Sequence, residues 1–254
     1  MGSIQADLSK DEITVLITGF APFKEDYPVN PSWEITRSLP DYLPPIRAKT
    51  TQAASYSYSS SKPLLPPIRL LVHPEPIHVG YKAVRSLVPA LWETHKPHIT
   101  IHVGMAGPRA FYSIERRGHR DGYKMRDVDG HFLNGEEEFE QDLPEELETD
   151  LDVEEVLKKW RAFSPKYSDL RISEDAGHYL CDFIYFSSLS HLWKHGKDRK
   201  VLFLHVPSDA SEGAVVRGRE LLLQLVRGVV ESELERKGKQ EEGERERERG
   251  KEVE

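Results

Sequence analysis

Ile13-Thr-Val-Leu-Ile-Thr18 leads into Gly19-Phe-Ala-Pro-Phe23, and a few residues later into Asn30-Pro-Ser-Trp33. The first run is short, apolar and β-branched, which predicts a buried strand. The glycine turns the chain out of it. Asn30 suits a helix cap, and Pro31 suits the first helical position, where the missing N–H has no partner to lose. That helix should end by Pro40. A strand, a Gly-led loop and a helix in this order open an α/β fold.

The rest of the chain repeats that alternation. Ile68–Val72 reads as a strand. Tyr81–His95 carries apolar residues at 81, 84, 87, 88, 91 and 92, a helical stripe, in which Pro89 is expected to force a kink or a restart. His98–Gly104 alternates as a strand, Met105–Arg109 reads as a Gly/Pro turn, and Ala110–Arg116 as a further strand. Gly118–Gly130 is polar and irregular. Asp152–Phe163 and Ser173–Leu189 read as helices, the second starting at Ser173 or Asp175. Lys200–Pro207 is continuously apolar, the pattern of a strand buried on both faces. From Ala210 a long helix follows, with an apolar stripe that fades after Leu234. No internal repeat is visible. The expected organisation is a single domain over residues 1–235, with insertions near 46–66 and 131–150. Residues 236–254 form a charged tail, helical or disordered.

Composition narrows the class. The 254 residues are 38% hydrophobic and 31% charged, enough for a sizeable core. The single cysteine excludes an internal disulfide and fits a reducing compartment. No apolar run reaches membrane-spanning length, and Met1–Asp11 lacks the apolar core of a signal peptide. A soluble, cytoplasmic protein is expected. The net charge of −8 conceals an uneven distribution: Glu136–Glu155 holds 12 acids and no bases, and Glu231–Glu254 holds 10 acids and 7 bases. Both are expected to be solvated or disordered. Setting them aside leaves the rest at +7, spread out without the clustered bases and aromatics of a nucleic-acid surface.

Chemistry centres on Cys181. With a helix starting at Ser173 or Asp175, Cys181 would lie about two turns in, beyond the reach of the helix dipole. A lone free cysteine is more often a small buried hydrophobe than a nucleophile. As a nucleophile it needs a histidine from elsewhere in the chain. Of the 11 histidines, His205 stands out at the carboxyl end of an apolar strand, where open α/β sheets place their sites. Glu115, near the end of another strand, is a surface residue beside Arg116 and Arg117, or else a paired carboxylate. Together the three make a workable set. His205 takes the thiol proton, Glu115 fixes the imidazole tautomer, and backbone donors in the Gly104–Gly107 turn or at the start of the cysteine helix hold an oxyanion.

Other motifs are absent. There is no Gly-x-Gly-x-x-Gly, no phosphate-binding Gly-Lys-Ser/Thr loop and no Cys/His cluster with zinc spacing. His191 and His195 are four apart but have no third ligand nearby, so no metal or organic cofactor is expected.

The chain resembles the pyroglutamyl peptidase I family of cysteine peptidases. The resemblance rests on Thr18–Phe23 with Asn30–Trp33, on Gly104–Arg116, on Ser173–Asp182 and on Phe203–Pro207, in the family's order. It implies a three-layer α/β/α sandwich with a mostly parallel, mixed central sheet. It implies an omega-peptidase that cleaves after an amino-terminal pyroglutamyl residue of peptides through a thioester. Cys181 would be the nucleophile, His205 the acid/base and Glu115 the orienting carboxylate, with Phe20 and Phe23 lining the lactam pocket. A flat, uncharged lactam suits apolar walls, and a charged amino terminus would be rejected by them. Between Arg117 and Asp129 the sequence departs from the family, and Arg126 or Lys124 is the basic residue there considered for a place near the site. The alternatives are an inactive protein of the same fold that binds blocked peptide ends, with an undepressed thiol pKa, or a nucleoside-phosphorylase-like protein. Oligomeric state is left open.

Overall fold

Five residues of strand β1 (Ile13–Gly19) pair in parallel with β2 (Ile68–Val72), and five pair on the other side with β3 (Ile99–Met105). The computed structural model describes residues 12–23, 25–45, 65–107, 109–135 and 138–251. The core of the serine-rich stretch, at residues 46–64, therefore lies outside the described residues. The sheet continues from β3 to β8 (Val201–Val206), again in parallel. It then reverses: β4 (Tyr112–Glu115) runs antiparallel to β8, and β7 (Leu170–Ser173) runs alongside β4. The six-stranded order is β2-β1-β3-β8-β4-β7.

Helices cover both faces. One face packs α1 (Pro31–Thr36), α3 (Val153–Phe163) and α5 (Glu212–Lys251) around Val15, Ile101, Leu204 and Trp160. The other packs α2 (Tyr81–His95) and α4 (Leu180–Lys194) around Tyr81, Phe183, Phe186 and Phe203. This is the mixed, mostly parallel α/β/α sandwich expected. The two cores divide β8 by alternation: Leu202 and Leu204 point one way, Phe203 and His205 the other.

Several local expectations need correction. The helix expected from Ser173 or Asp175 begins only at Leu180, with Tyr179 at its cap. Ser173 instead ends β7, and Asp175 Oδ1 accepts the Gly177 N–H at 2.7 Å. Gly177 at φ +83° then breaks the helical path, because only glycine adopts that region readily. The would-be caps build a turn of their own. Nor does α4 bury one broad face: Leu180 and every residue from Asp182 to Ser190 are buried, as befits a helix apolar on nearly all sides. Helix α2 continues through Pro89 without restarting.

The acidic run is more than a solvated insertion. Phe139, Leu143, Leu147 and Leu151 are buried within it. Its segment β6 (Glu146–Glu148) pairs antiparallel with β5 (Arg117–His119). Arg117 holds Glu146 at 2.7 Å, Glu174 at 2.9 Å and Glu148 at 3.1 Å, so one guanidinium gathers three of the acids near it. Helix α5 extends to Lys251, with exposed side chains dominating after Arg236. No described helix is long and apolar enough to cross a membrane.

Candidate active site

The carboxyl ends of β1, β3 and β8 lie side by side, and the site residues cluster there. Gly104 is in register with His205 on β8, and His205 with Ser113 on β4. Directly paired residues project to the same face, so His205 and Glu115 both look toward α4. His205 Nδ1 lies 2.7 Å from Glu115 Oε1, both side chains buried. The Ser113 hydroxyl donates to that same carboxylate oxygen at 3.0 Å. Glu115 is thus neither at the surface nor engaged by Arg116, whose guanidinium turns outward to Glu154 and Glu174.

Cys181 reaches this group from the opposite layer. A β-carbon built on Gly104 would stand 2.8 Å from Cys181 Sγ and 2.6 Å from the tip of the Phe203 ring. Only a glycine lets the sulfur settle over the strand at this position, the register partner of His205. The helix is fixed one turn further on, where the Tyr185 hydroxyl donates to the Glu115 carbonyl at 2.9 Å. The helix that carries Cys181 and the strand that carries Glu115 are therefore tied directly to each other.

Cys181 is the second residue of α4, not two turns into a helix. Tyr179 gives α4 no side-chain cap. The first N–H groups of the helix and its dipole therefore lie beside the sulfur. Against this, burial pushes the Cys181 thiol up to about 12, with the negative charges of Glu115 and Asp182 adding in the same direction. The resting thiol is accordingly neutral at physiological pH, and an acceptor is needed to remove its proton.

Asp182 was not singled out from the sequence. It is fully buried and takes the Tyr123 hydroxyl at 2.8 Å and the His119 backbone N–H at 3.2 Å. Burial raises its pKa, with the contacts to His119 and Tyr123 opposing. His102 was also passed over. Its ring bridges Thr18 Oγ1 and Ser188 Oγ, each at 2.8 Å, across β1, β3 and α4. Burial drives its pKa down to about 3, so it is a neutral strut. Spacing gives no sign of either role, since each partner lies some tens of residues away.

Phe20, Phe23, Val79, Met105, Tyr179 and Cys181 line one narrow cleft. Phe20 is buried and pinned: its N–H donates to Ser32 Oγ at 3.1 Å, and its backbone bridges to Ile77. Asn30 supports the same turn, donating to the Ala21 carbonyl at 2.9 Å while capping α1. Phe23 is only partly buried and faces Tyr179 with ring centroids 6.1 Å apart. The cleft holds about 10 Å³, room for a single water, so a larger occupant must displace side chains that line it. A groove of about 980 Å³ near Trp33, Arg69 and His95 is roomier but contains none of the three chemical residues. Arg126 and Lys124 are exposed, and Arg126 is engaged with the Gly130 carbonyl at 2.7 Å and the Phe132 ring. Neither is brought to the cleft.

Comparison with known proteins decides the family. The family described as pyroglutamyl peptidase matches residues 70–216. Pyroglutamyl-peptidase 1 of Homo sapiens is 34% identical over 193 residues, which cover 76% of this chain and 78% of the relative. The chain belongs to the pyroglutamyl peptidase family. The pyrrolidone-carboxylate peptidase of Thermococcus onnurineus is 29% identical, over 76% of this chain and 82% of its own. The fold agrees with the pyrrolidone carboxyl peptidase of Thermococcus litoralis at a TM-score of 0.67. That match is 22% identical and covers 89% of this chain and 96% of that one. Membership in this family makes the chain a peptidase, and the nucleoside-phosphorylase-like alternative falls away.

Proposed function

We propose that this protein removes an amino-terminal pyroglutamyl residue from peptides, with Cys181 as nucleophile, His205 as acid/base and Glu115 as the carboxylate that orients it. The observation that carries this reading is the Glu115–His205 pair set in register beside Gly104, over which the Cys181 sulfur sits.

The steps follow from the chemistry of those groups. With Nδ1 held by Glu115, His205 presents Nε2 as the base. It takes the Cys181 proton as sulfur bonds to the pyroglutamyl carbonyl carbon. The carbonyl oxygen becomes an oxyanion, held by N–H groups at the start of α4. The α4 start serves better than the turn after β3, since the Ala106 N–H is committed to the Val206 carbonyl. As the C–N bond breaks, imidazolium gives its proton to the leaving amine, and a thioester remains. Water, deprotonated by His205, then attacks the thioester, releasing pyroglutamate and restoring the thiol.

Phe20 and Phe23 flank the lactam. Their apolar walls favour a neutral ring over a charged amino terminus, whose desolvation costs several kcal/mol, of the order of ~2–7 even for neutral polar groups. The working thiol must stay reduced, which fits a cytoplasmic location. The test is release of a fluorophore from a pyroglutamyl amide by wild type and by Cys181→Ala. Turnover confined to the wild type supports the reading, and equal turnover by the two overturns it.

A further inference from the structure

Spacing along the chain offers no metal motif, but the fold assembles one. His119 ends β5, while Asp175 and His178 lie in the loop between β7 and α4, and one donor atom from each falls within 4.8 Å of the other two. The two imidazoles are 4.9 Å apart between ring centroids. The His178 ring lies against Gly122, where φ is +98° and a β-carbon would come within 2.8 Å of Nδ1.

What separates this group from an incidental cluster is the orientation of His119. Its Nδ1 is 3.3 Å from Oδ1 of Asp182, a carboxylate with no exposed surface. A buried carboxylate on one ring nitrogen sets the tautomer and leaves the other nitrogen as a lone-pair donor, the support that metal-ligating histidines usually have. His119 Nε2 has Glu146 Oε1 at 3.9 Å, beyond hydrogen-bond distance, so that contact does not occupy the nitrogen. The group Asp127, Asp129 and His131 lacks this feature. Asp127 accepts the N–H groups of Asp129 and His131 on Oδ1 and that of Tyr81 on Oδ2, so both its oxygens are taken, whereas Asp175 uses Oδ1 for the Gly177 N–H and keeps Oδ2.

The geometry points to a divalent-cation site of zinc-like preference at His119, Asp175 and His178. Two imidazoles and a carboxylate are the donor types such an ion takes at about 2.0–2.2 Å. The exposed Asp175 and His178 side chains close onto the ordered His119. The ion clamps the loop to β5. That loop ends at Tyr179, two residues before Cys181, so the site braces the segment that delivers the sulfur without taking part in the chemistry.

The test is calorimetric titration of zinc chloride into metal-free Cys181→Ser protein, in which the thiol cannot bind the ion. One equivalent should bind. Cobalt substitution should give the visible bands of a tetrahedral site, and added zinc should raise the melting temperature. His178→Gln and Asp175→Asn, both surface changes, should each weaken binding by about tenfold or more. Absence of saturable binding in Cys181→Ser would mean that the protein has no ion site apart from the thiol, and unchanged affinity in His178→Gln would place the ion elsewhere. Either result overturns the site. Binding is read without turnover, so the outcome is independent of the peptidase assignment.

Discussion

Glu115 Oε1 lies 2.7 Å from His205 Nδ1, although the two residues are 90 apart in sequence and come from antiparallel neighbours in the sheet. The contact has two opposing consequences. It fixes the imidazole, which favours turnover, but the charge of Glu115 also helps to raise the Cys181 thiol pKa. Glu115→Gln should therefore make the thiol more acidic while lowering kcat by about two to four orders of magnitude. Thiol titration and steady-state kinetics on one preparation check this. A kcat that rises with the more acidic thiol would show that the carboxylate does not position the base.

Gly104→Ala tests the placement of the sulfur. The new methyl would meet Phe203 Cζ at 2.6 Å and Cys181 Sγ at 2.8 Å, both far inside contact distance. Overpacking of this kind costs about 1–3 kcal/mol. The sulfur must also withdraw from its place over Gly104, so kcat should fall further than stability accounts for. Chemical denaturation alongside kinetics separates the two effects. Unimpaired kcat in a folded Gly104→Ala protein would place the reacting sulfur elsewhere.

The strands and most helices were legible because their apolar periods are strong: β8 is apolar but for His205, and α3 begins at a capping Asp152 where the pattern predicts it. The start of α4 was not. Ser173 and Asp175 have the side chains of helix caps, but Gly177 at positive φ stops the helix from forming there. That error displaced Cys181 from the first turn and hid its dipole. Glu115, His205 and Cys181 were picked out by type and position, whereas Asp182 and His102 were not. Their roles are set by partners brought close only in the folded chain. The acidic run misled because charge masked four buried apolar residues, Phe139, Leu143, Leu147 and Leu151.

His102 should make the protein acid-sensitive. Its pKa is depressed to about 3 in the folded state against 6.5 when unfolded, so between those values the unfolded chain binds the extra proton. Stability is complete above 6.5 and falls as pH drops toward 3, by roughly 5 kcal/mol over the whole interval. His102→Asn has no imidazole to protonate, and its slope of stability against pH in this window should be shallower by up to one proton. Urea denaturation across the window checks it, and an unchanged slope would place the acid-sensitive group elsewhere.

Arg117 should act as a surface clamp of modest strength. It bridges Glu146 and Glu148 on β6 to Glu174 in the loop before α4. Each pair is partly exposed and worth about 0.2–1 kcal/mol at most. Arg117→Met should cost about 1 kcal/mol in low salt and less in high salt, where the charges are screened. Thermal melts at two ionic strengths give the difference, and a loss independent of salt would assign Arg117 a packing role.

In the proposed mechanism His205 is the base that takes the Cys181 proton. With the Cys181 pKa pushed up to about 12, almost none of it would be thiolate at neutral pH unaided. Alkylation by iodoacetamide reads the thiolate directly, apart from any peptide. His205→Ala should slow alkylation at neutral pH by about tenfold or more and shift its pH profile to the alkaline side. Because the reagent needs neither lactam pocket nor oxyanion donors, the loss reports proton removal alone. Equal alkylation rates in the two proteins would mean that the N-terminus of α4 activates the sulfur without the imidazole, and would remove His205 from the first step.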